Sequence, residues 1–282
     1  MNCAEQAVCF DCAGEQCVGI LSHPSTPAET AVVVIVGGPQ YRAGSHRQFV
    51  HLARALAKAG HAVLRFDYRG MGDASGAHRD FLGASLDIAA AIDALQRSLP
   101  AVRRVALWGL CDAASAALLY WQETRDPRVA GMCLLNPWVR SDASLARAHV
   151  KHYYRQRLMQ REFWAKLLSG KVAGKAFAGL LQNLRLMRRG PAGQGPGPFQ
   201  QRMALAWGSF TGSILLLLSG DDYTAREFVE FSSMDPAWSG LLQQPHVQRH
   251  DVAGADHTLS SAGQRAVVES LTLGWLDAMA AR

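Results

Sequence analysis

The stretch RVALWGLCDAASAALLY, residues 104–120, runs from an apolar, strand-like segment into an alanine-rich helix through a turn with Cys111 at its tip. Its centre, GLCDA at 109–113, has the form of the nucleophile elbow G-x-S-x-G, with cysteine in place of serine and alanine in place of the last glycine. The elbow needs small residues two positions on either side of the nucleophile, because its strained turn brings strand and helix backbones together. Gly109 and Ala113 meet that need. A buried cysteine that acts only as a small hydrophobic residue is the alternative interpretation.

Strands and helices alternate along most of the chain, as shown by apolar runs, helical periodicity and Gly/Pro turns. The pattern predicts strands at 6–11, 16–22, 31–36, 62–70, 104–108, 129–137, 213–218 and 246–252. It predicts helices at 48–60, 81–99, 112–123, 224–233 and about 260–279. After an opening β-hairpin, this alternation is typical of an α/β fold with a mostly parallel, doubly wound sheet covered by helices on both faces.

One segment, 139–210, breaks the alternation. It lacks strand-like runs, is rich in helix-forming residues and includes the Gly/Pro loop GPAGQGPGPF. We therefore predict a core formed by 1–138 and 211–282, and a helical lid inserted at 139–210. The insertion carries 13 Lys and Arg against two acidic residues, a net charge of +11, whereas the rest of the chain carries 16 basic and 21 acidic residues, a net charge of −5. The overall charge of +6 therefore originates in the lid.

Composition excludes several classes of protein. With 49% hydrophobic and 18% charged residues among 282, the chain is an ordinary globular protein and not a disordered one. The longest apolar runs, at 31–36 and 214–218, are far shorter than the roughly 20 residues of a membrane-spanning helix. The N-terminus lacks a basic start followed by an apolar core, so we expect no secretory signal and a cytoplasmic location. No recognisable nucleic-acid-binding module is present.

Four of the six cysteines lie in the first 17 residues, which raises the question of a metal site. Cys9 and Cys12 form a C-x-x-C pair, but no second pair and no paired histidines follow at zinc spacing. A β-hairpin that uses cysteine as a small hydrophobic residue fits better, and a disulfide is not expected in a reducing cytoplasm. We therefore expect no metal and no cofactor.

Three further features favour the nucleophilic interpretation of Cys111. VIVGGPQYR follows the third predicted strand, where an oxyanion-hole loop belongs, and the backbone N–H groups of Gly38 and Asp112 would be its two donors. The adjacent acids Asp221 and Asp222 follow the strand SILLLLS, and His257 lies in the loop GADHTLSS before the last helix. The chain order of nucleophile, acid and histidine is the order expected of an α/β-hydrolase.

The segments GGPQYRAGSHRQF, FDYRGMGD, WGLCDAASA and ADHTLSS together resemble the exosortase A system-associated hydrolases of type 1, which are α/β-hydrolases of Gram-negative bacteria. The resemblance covers 31–135 and 213–280, and the insertion matches only loosely. It implies an α/β-hydrolase fold with an inserted lid and a link to exopolysaccharide and protein-sorting loci. Cysteine replaces the usual serine, as in dienelactone-hydrolase-like members, and Val36 stands where many hydrolases have histidine. The superfamily pattern also favours Asp222 as the acid, because it lies two positions past Gly220.

These residues predict a hydrolase or acyltransferase that acts on an ester, thioester or lactone. Cys111 would be the nucleophile, His257 the base and Asp222 the residue that orients the histidine. The alternative is a non-catalytic binding or assembly protein that keeps the fold with an inert Cys111. The expected partner is a small-molecule or lipid-like acyl substrate, for which the basic lid would suit an anionic group and is compatible with peripheral membrane contact. The sequence gives no oligomeric state.

The basic lid leads to a prediction about salt. If it gathers an anionic acyl substrate over Cys111, kcat/KM for an acidic substrate should fall as salt rises from about 20 to about 300 mM, while a neutral ester changes little. Neutralising Lys151, Arg155 and Arg157 together should flatten the dependence for the acidic substrate. Equal salt responses of the two substrates would instead identify the basic residues as a solvated helical face.

Overall fold

The computed structural model describes residues 3–26, 28–38, 40–140 and 198–281. The described parts up to Trp138 and from Phe199 onward form one compact unit. Most of the predicted lid, including Lys151, Arg155 and Arg157, lies outside the described residues, so the lid stays a prediction.

In the described residues, eight strands form one sheet, with Cys111 at the carboxyl end of a central strand. The strands are β1 (Ala4–Cys12), β2 (Glu15–His23), β3 (Thr30–Ile35), β4 (Ala62–Phe66), β5 (Arg104–Leu110), β6 (Val129–Leu135), β7 (Ser213–Ser219) and β8 (Val247–Val252). Their order is β1-β2-β4-β3-β5-β6-β7-β8. The β1–β2 and β2–β4 pairs are antiparallel and all others are parallel. The predicted opening hairpin and mostly parallel sheet are confirmed.

Helices cover both faces of the sheet, which is why the central strands are apolar throughout. The α-helices in the described residues are α1 (Gln48–Lys58), α2 (Ser85–Ser98), α3 (Asp112–Thr124), α4 (Phe199–Ser209), α5 (Tyr223–Met234) and α6 (Ala262–Ala280). Side chains of α1 and α6 share a core with alternate strand residues such as Trp108 and Leu215. Helix α3 is buried along most of its length in the other layer, where it packs against α2 and α4.

Several predicted elements are longer than those of the structure, including the strand expected at 129–137, which ends at Leu135. The strand expected at 62–70 ends at Phe66, because the chain turns over residues 68–71, where the Met71 N–H donates to the Tyr68 carbonyl at 3.0 Å and Gly70 has a φ of 74°. The helix expected from Phe81 begins only at Ser85. A short 3₁₀ turn, Phe81–Gly83, precedes it and is capped by the carboxylate of Asp80.

Cys12 and Cys17 of the hairpin lie next to a buried ion pair between Arg69 and Asp87. Both oxygens of Asp87 accept hydrogen bonds from the Arg69 guanidinium at 2.9 Å, and both side chains are almost fully buried. The Cys12 and Cys17 sulfur atoms and an Asp87 oxygen lie within 4.8 Å of one another. A metal would have to compete with the guanidinium for that carboxylate, so the cluster fits a structural role. Burial raises the pKa of the Cys17 thiol to about 12, which keeps it in the neutral form.

Among the helices of the described segments, none combines the length and the apolar character needed to cross a membrane.

We expect Asp87→Asn to lower the free energy of unfolding by about 3–5 kcal/mol, because it leaves the buried Arg69 guanidinium without its counter-charge. Urea denaturation followed by circular dichroism measures the change. Asp251→Asn is the matched control, since Asp251 pairs with Arg249 at an exposed position and such pairs contribute about 0–1 kcal/mol. Equal effects of the two variants would contradict a structural role for the buried pair.

Candidate active site

Cys111 occupies the tight turn between β5 and α3, as the elbow motif predicts. Its backbone has φ 63° and ψ −123°, a conformation that non-glycine residues rarely adopt. Hydrogen bonds hold it from both sides: the Cys111 N–H donates to the Leu135 carbonyl at 2.9 Å, and the Cys111 carbonyl accepts from the Trp138 N–H at 3.2 Å. The turn leaves the Cys111 side chain partly exposed at the carboxyl edge of the sheet.

The need for small residues beside the turn is visible at Gly109. A Cβ atom at this position would lie 2.5 Å from the carbonyl carbon of Ala113, which is backbone and cannot move aside. Any larger residue would separate β5 from the first turn of α3. Gly109 and Ala113 therefore allow the strand and helix to approach as closely as the elbow demands.

Asp222 and His257 meet at the same edge of the sheet. Nδ1 of His257 lies 2.7 Å from Oδ2 of Asp222, while Oδ1 of Asp222 accepts the Thr224 N–H at 2.9 Å and so caps α5. The neighbouring Asp221 points to solvent, where it lies 3.7 Å from Arg226. Of the two adjacent acids, the structure brings Asp222 to the histidine and leaves Asp221 outside.

The Cys111 side chain lies close enough to His257 to act on the charge of its imidazole, so the three side chains form one cluster. The hydrogen bond to Asp222 is the largest cause of a raised histidine pKa, followed by the interaction with Cys111, and together they raise the pKa of His257 from 6.5 to about 10. The imidazole therefore carries a proton at neutral pH.

The loop that presents His257 is organised by its neighbour Asp256. The Asp256 carboxylate accepts hydrogen bonds from the Thr258 N–H at 2.8 Å and from the hydroxyl of Ser260. The bonds from Ser260 and Thr258 outweigh burial and lower the pKa of Asp256 to about 2. Sequence reasoning missed this role, although an aspartate two residues before a threonine is a signal of an Asx turn.

Asn136 links the end of β6, the strand beside β5, to the end of β7, where the loop that carries Asp222 begins. Its amide nitrogen donates to Oγ of Ser219 at 3.0 Å, and its Oδ1 accepts the Ser219 N–H at 2.8 Å. Both side chains are buried at the carboxyl ends of β6 and β7. The pair fixes the start of the loop that carries Asp222, and nothing in the sequence pattern pointed to it.

The two predicted oxyanion donors lie close together, but one of them is occupied. The Gly38 N–H donates to Oδ2 of Asp112 at 2.9 Å. Burial raises the pKa of the Asp112 carboxyl, while the N–H groups of Gly38, Ala113 and Asp112 itself and the charge of His257 oppose the rise. The sequence analysis assigned a role to the Asp112 backbone only, whereas the structure places its side chain in the site as well.

We expect Asp222→Asn to shift the pKa of His257 from about 10 back toward 6.5, because it removes the largest cause of the rise. The variant keeps an oxygen that can cap α5. Histidine NMR titration measures the shift, and Asp221→Asn is the matched control that should leave it unchanged. A raised pKa also means that the Asp222–His257 pair stabilises the fold fully below pH 6.5 and loses that effect as the pH rises through about 10. A His257 pKa that follows Asp221 instead would assign the acid to that residue.

Comparison with solved structures agrees with this fold. Est1E from Butyrivibrio proteoclasticus, solved with ferulic acid bound, has a TM-score of 0.65 and 17% identity, covering 98% of this chain and 100% of that one. The Pyrococcus furiosus esterase Pf2001 has a TM-score of 0.64 and 16% identity, covering 98% and 91%. The dienelactone hydrolase of Anabaena variabilis has a TM-score of 0.61 and 14% identity, covering 98% of each chain. No curated protein sequence matches the chain.

Comparison with protein families gives a direct assignment. The sequence model of the family described as "Serine aminopeptidase, S33" matches residues 27–184, which is more than half of the 282 residues. The match includes the predicted oxyanion loop and the elbow, where this chain has Cys111 in place of the serine of the motif. On this match and the sheet topology, the chain belongs to the serine aminopeptidase S33 family of α/β-hydrolases.

Proposed function

We propose that this protein is a hydrolase or acyltransferase that acts on an ester, thioester or lactone and forms a covalent acyl intermediate on Cys111. The observation that carries the proposal is the hydrogen bond between Asp222 and His257 beside Cys111, which lies at the tip of a strained strand-to-helix turn. A nucleophile, a proton carrier and a group that orients the carrier are the three parts that acyl transfer requires.

The chemistry begins with a thiolate and a protonated histidine. A cysteine that lies beside an imidazolium at the start of a helix attacks as the thiolate. The sulfur of Cys111 bonds to the substrate carbonyl carbon, and the carbonyl oxygen becomes an oxyanion that the N–H groups of Gly38 and Asp112 would stabilise. His257 then gives its proton to the departing alcohol or thiol, which leaves acyl-Cys111 and a neutral imidazole.

The second half returns the enzyme to its starting state. Neutral His257 removes a proton from water or from an acceptor alcohol, whose oxygen attacks the acyl-Cys111 carbonyl. The thioester bond breaks, the acid or the new ester leaves, and the thiolate and imidazolium are restored. Asp222 holds Nδ1 of His257 by a hydrogen bond throughout, so that the other ring nitrogen faces the reacting atoms.

The substrate class follows from the nucleophile. A thiolate leaves easily from a tetrahedral adduct, so activated acyl groups such as thioesters and lactones suit Cys111 better than peptides. Two structural neighbours carry the names of an esterase and a dienelactone hydrolase, which agrees with small acyl substrates. We further propose, from the sequence resemblance alone, that the protein acts in an exosortase-linked or exopolysaccharide-linked system.

One observation favours a second candidate, a non-catalytic binding protein. The Gly38 N–H, which an oxyanion would need, already donates to the Asp112 side chain. Iodoacetamide labelling separates the two candidates. Rapid labelling of Cys111 at neutral pH is expected of the enzyme, whereas labelling confined to exposed cysteines such as Cys9 is expected of the binding protein.

We expect incubation with activated esters and acyl thioesters to add one acyl group to Cys111, detected by intact mass and peptide mapping. Cys111→Ala should form no adduct and should lose turnover, with a thermal midpoint close to that of the unmodified protein because the residue is partly exposed at a turn. Cys111→Ser should retain a little esterase activity. Full turnover by Cys111→Ala would exclude this residue as the nucleophile.

A further inference from the structure

The Asp112 carboxylate lies where the oxyanion of the proposed reaction would form. Its Oδ2 accepts the Gly38 N–H at 2.9 Å. The N–H groups of Asp112 and Ala113 at the start of α3 also favour the charged form of the carboxyl, because they lower its pKa. The N–H groups of Gly38 and Asp112 are also the ones that would receive the oxygen of a carbonyl group bound to Cys111. A carboxylate and an oxyanion need the same donors and repel each other, so only one of them can occupy this position at a time.

The sequence leaves room for the carboxylate at this position. A Cβ atom at Gly37 would lie 1.9 Å from Oδ1 of Asp112, so any other residue at 37 would expel the carboxylate. Gly37 and Gly38 therefore do different things: the first makes space for the side chain, and the second donates a hydrogen bond to it.

The Asp112 carboxylate lacks part of the hydrogen bonding that a buried charged group needs. Among the described residues, Oδ1 of Asp112 and the hydroxyl of Tyr68 are both buried without a hydrogen-bond partner. Burial and, to a smaller extent, the charge of Asp112 raise the pKa of the Tyr68 hydroxyl. A buried charge that lacks part of its hydrogen bonding is costly. Displacement of the Asp112 side chain toward solvent would therefore recover hydration energy.

We propose that the Asp112 carboxylate is an internal ligand of the oxyanion site, which an acyl substrate must displace before its carbonyl can react with Cys111. This inference rests on the proposed function. It makes Asp112 a specificity-determining residue: a substrate with many contacts elsewhere in the site gains enough binding energy to displace the carboxylate, whereas a small ester does not. Small activated esters thus acylate Cys111 of the unmodified protein slowly.

The test compares Asp112→Ala and Asp112→Asn with the unmodified protein in single-turnover acylation by p-nitrophenyl acetate. Alanine keeps the backbone N–H donor and removes the competing side chain, so acylation should rise by about tenfold or more, since one oxyanion donor is worth roughly 10²–10³ in rate. Asparagine keeps the size and removes the charge, so its rate should lie between the other two. Asp251→Ala, which removes an exposed charge on β8, is the control and should not change the rate.

Alkylation by iodoacetamide separates the oxyanion site from the nucleophile, because it consumes the Cys111 thiolate without forming an oxyanion. The ratio of acylation rate to alkylation rate should rise in Asp112→Ala. A ratio that is unchanged or lower overturns the proposal for Asp112, while acyl-Cys111 in the unmodified protein still supports the proposed function. No acyl adduct in any of these proteins overturns both. Circular dichroism checks folding, and the size-conserving Asp112→Asn decides the matter if the alanine variant does not fold.

Discussion

The backbone at Cys111 is the constraint on which the arrangement of the site depends. A φ of 63° at a non-glycine residue costs on the order of 1–3 kcal/mol and persists only when the surroundings hold it. Here the hydrogen bonds to Leu135 and from Trp138 hold it, and Gly109 allows the close approach of strand and helix. As a result, the Cys111 sulfur lies beyond the carboxyl end of β5, next to the N-terminus of α3.

The parallel strands bring the other residues of the site to the turn at Cys111. The carboxyl ends of β3, β5, β7 and β8 meet at one edge, so the loops that follow them bring Gly38, Cys111, Asp222 and His257 together although they are spread over most of the chain. The Asn136–Ser219 pair links the ends of β6 and β7. A shift in the register of either strand would move Asp222 away from His257. The buried Asn136–Ser219 hydrogen bonds therefore help to set the geometry of the Asp222–His257 pair.

The sequence predicted the features that depend on local patterns. Strand–helix alternation predicted the parallel sheet, and small residues around Cys111 predicted the elbow. The residue pattern alone did not separate Asp221 from Asp222, and only the superfamily resemblance favoured Asp222, because adjacent residues point in different directions and the capping of α5 shows which one turns inward. It missed the Asn136–Ser219 bonds, which join residues 83 apart, and the Asp112 side chain, because the elbow motif describes only the backbone at that position.

The charges of the site explain how a cysteine and an aspartate can be neighbours there. In the proposed mechanism the sulfur is already ionised before attack, so His257 keeps its proton and remains a positive charge near both Cys111 and Asp112. A serine would instead need a neutral histidine as base at the moment of attack, and the Asp112 carboxylate would then have no cation beside it. Cysteine at the elbow and aspartate after it are therefore mutually consistent in this mechanism, because the imidazolium of His257 would pair with the attacking thiolate and also opposes the rise in the pKa of the Asp112 carboxyl.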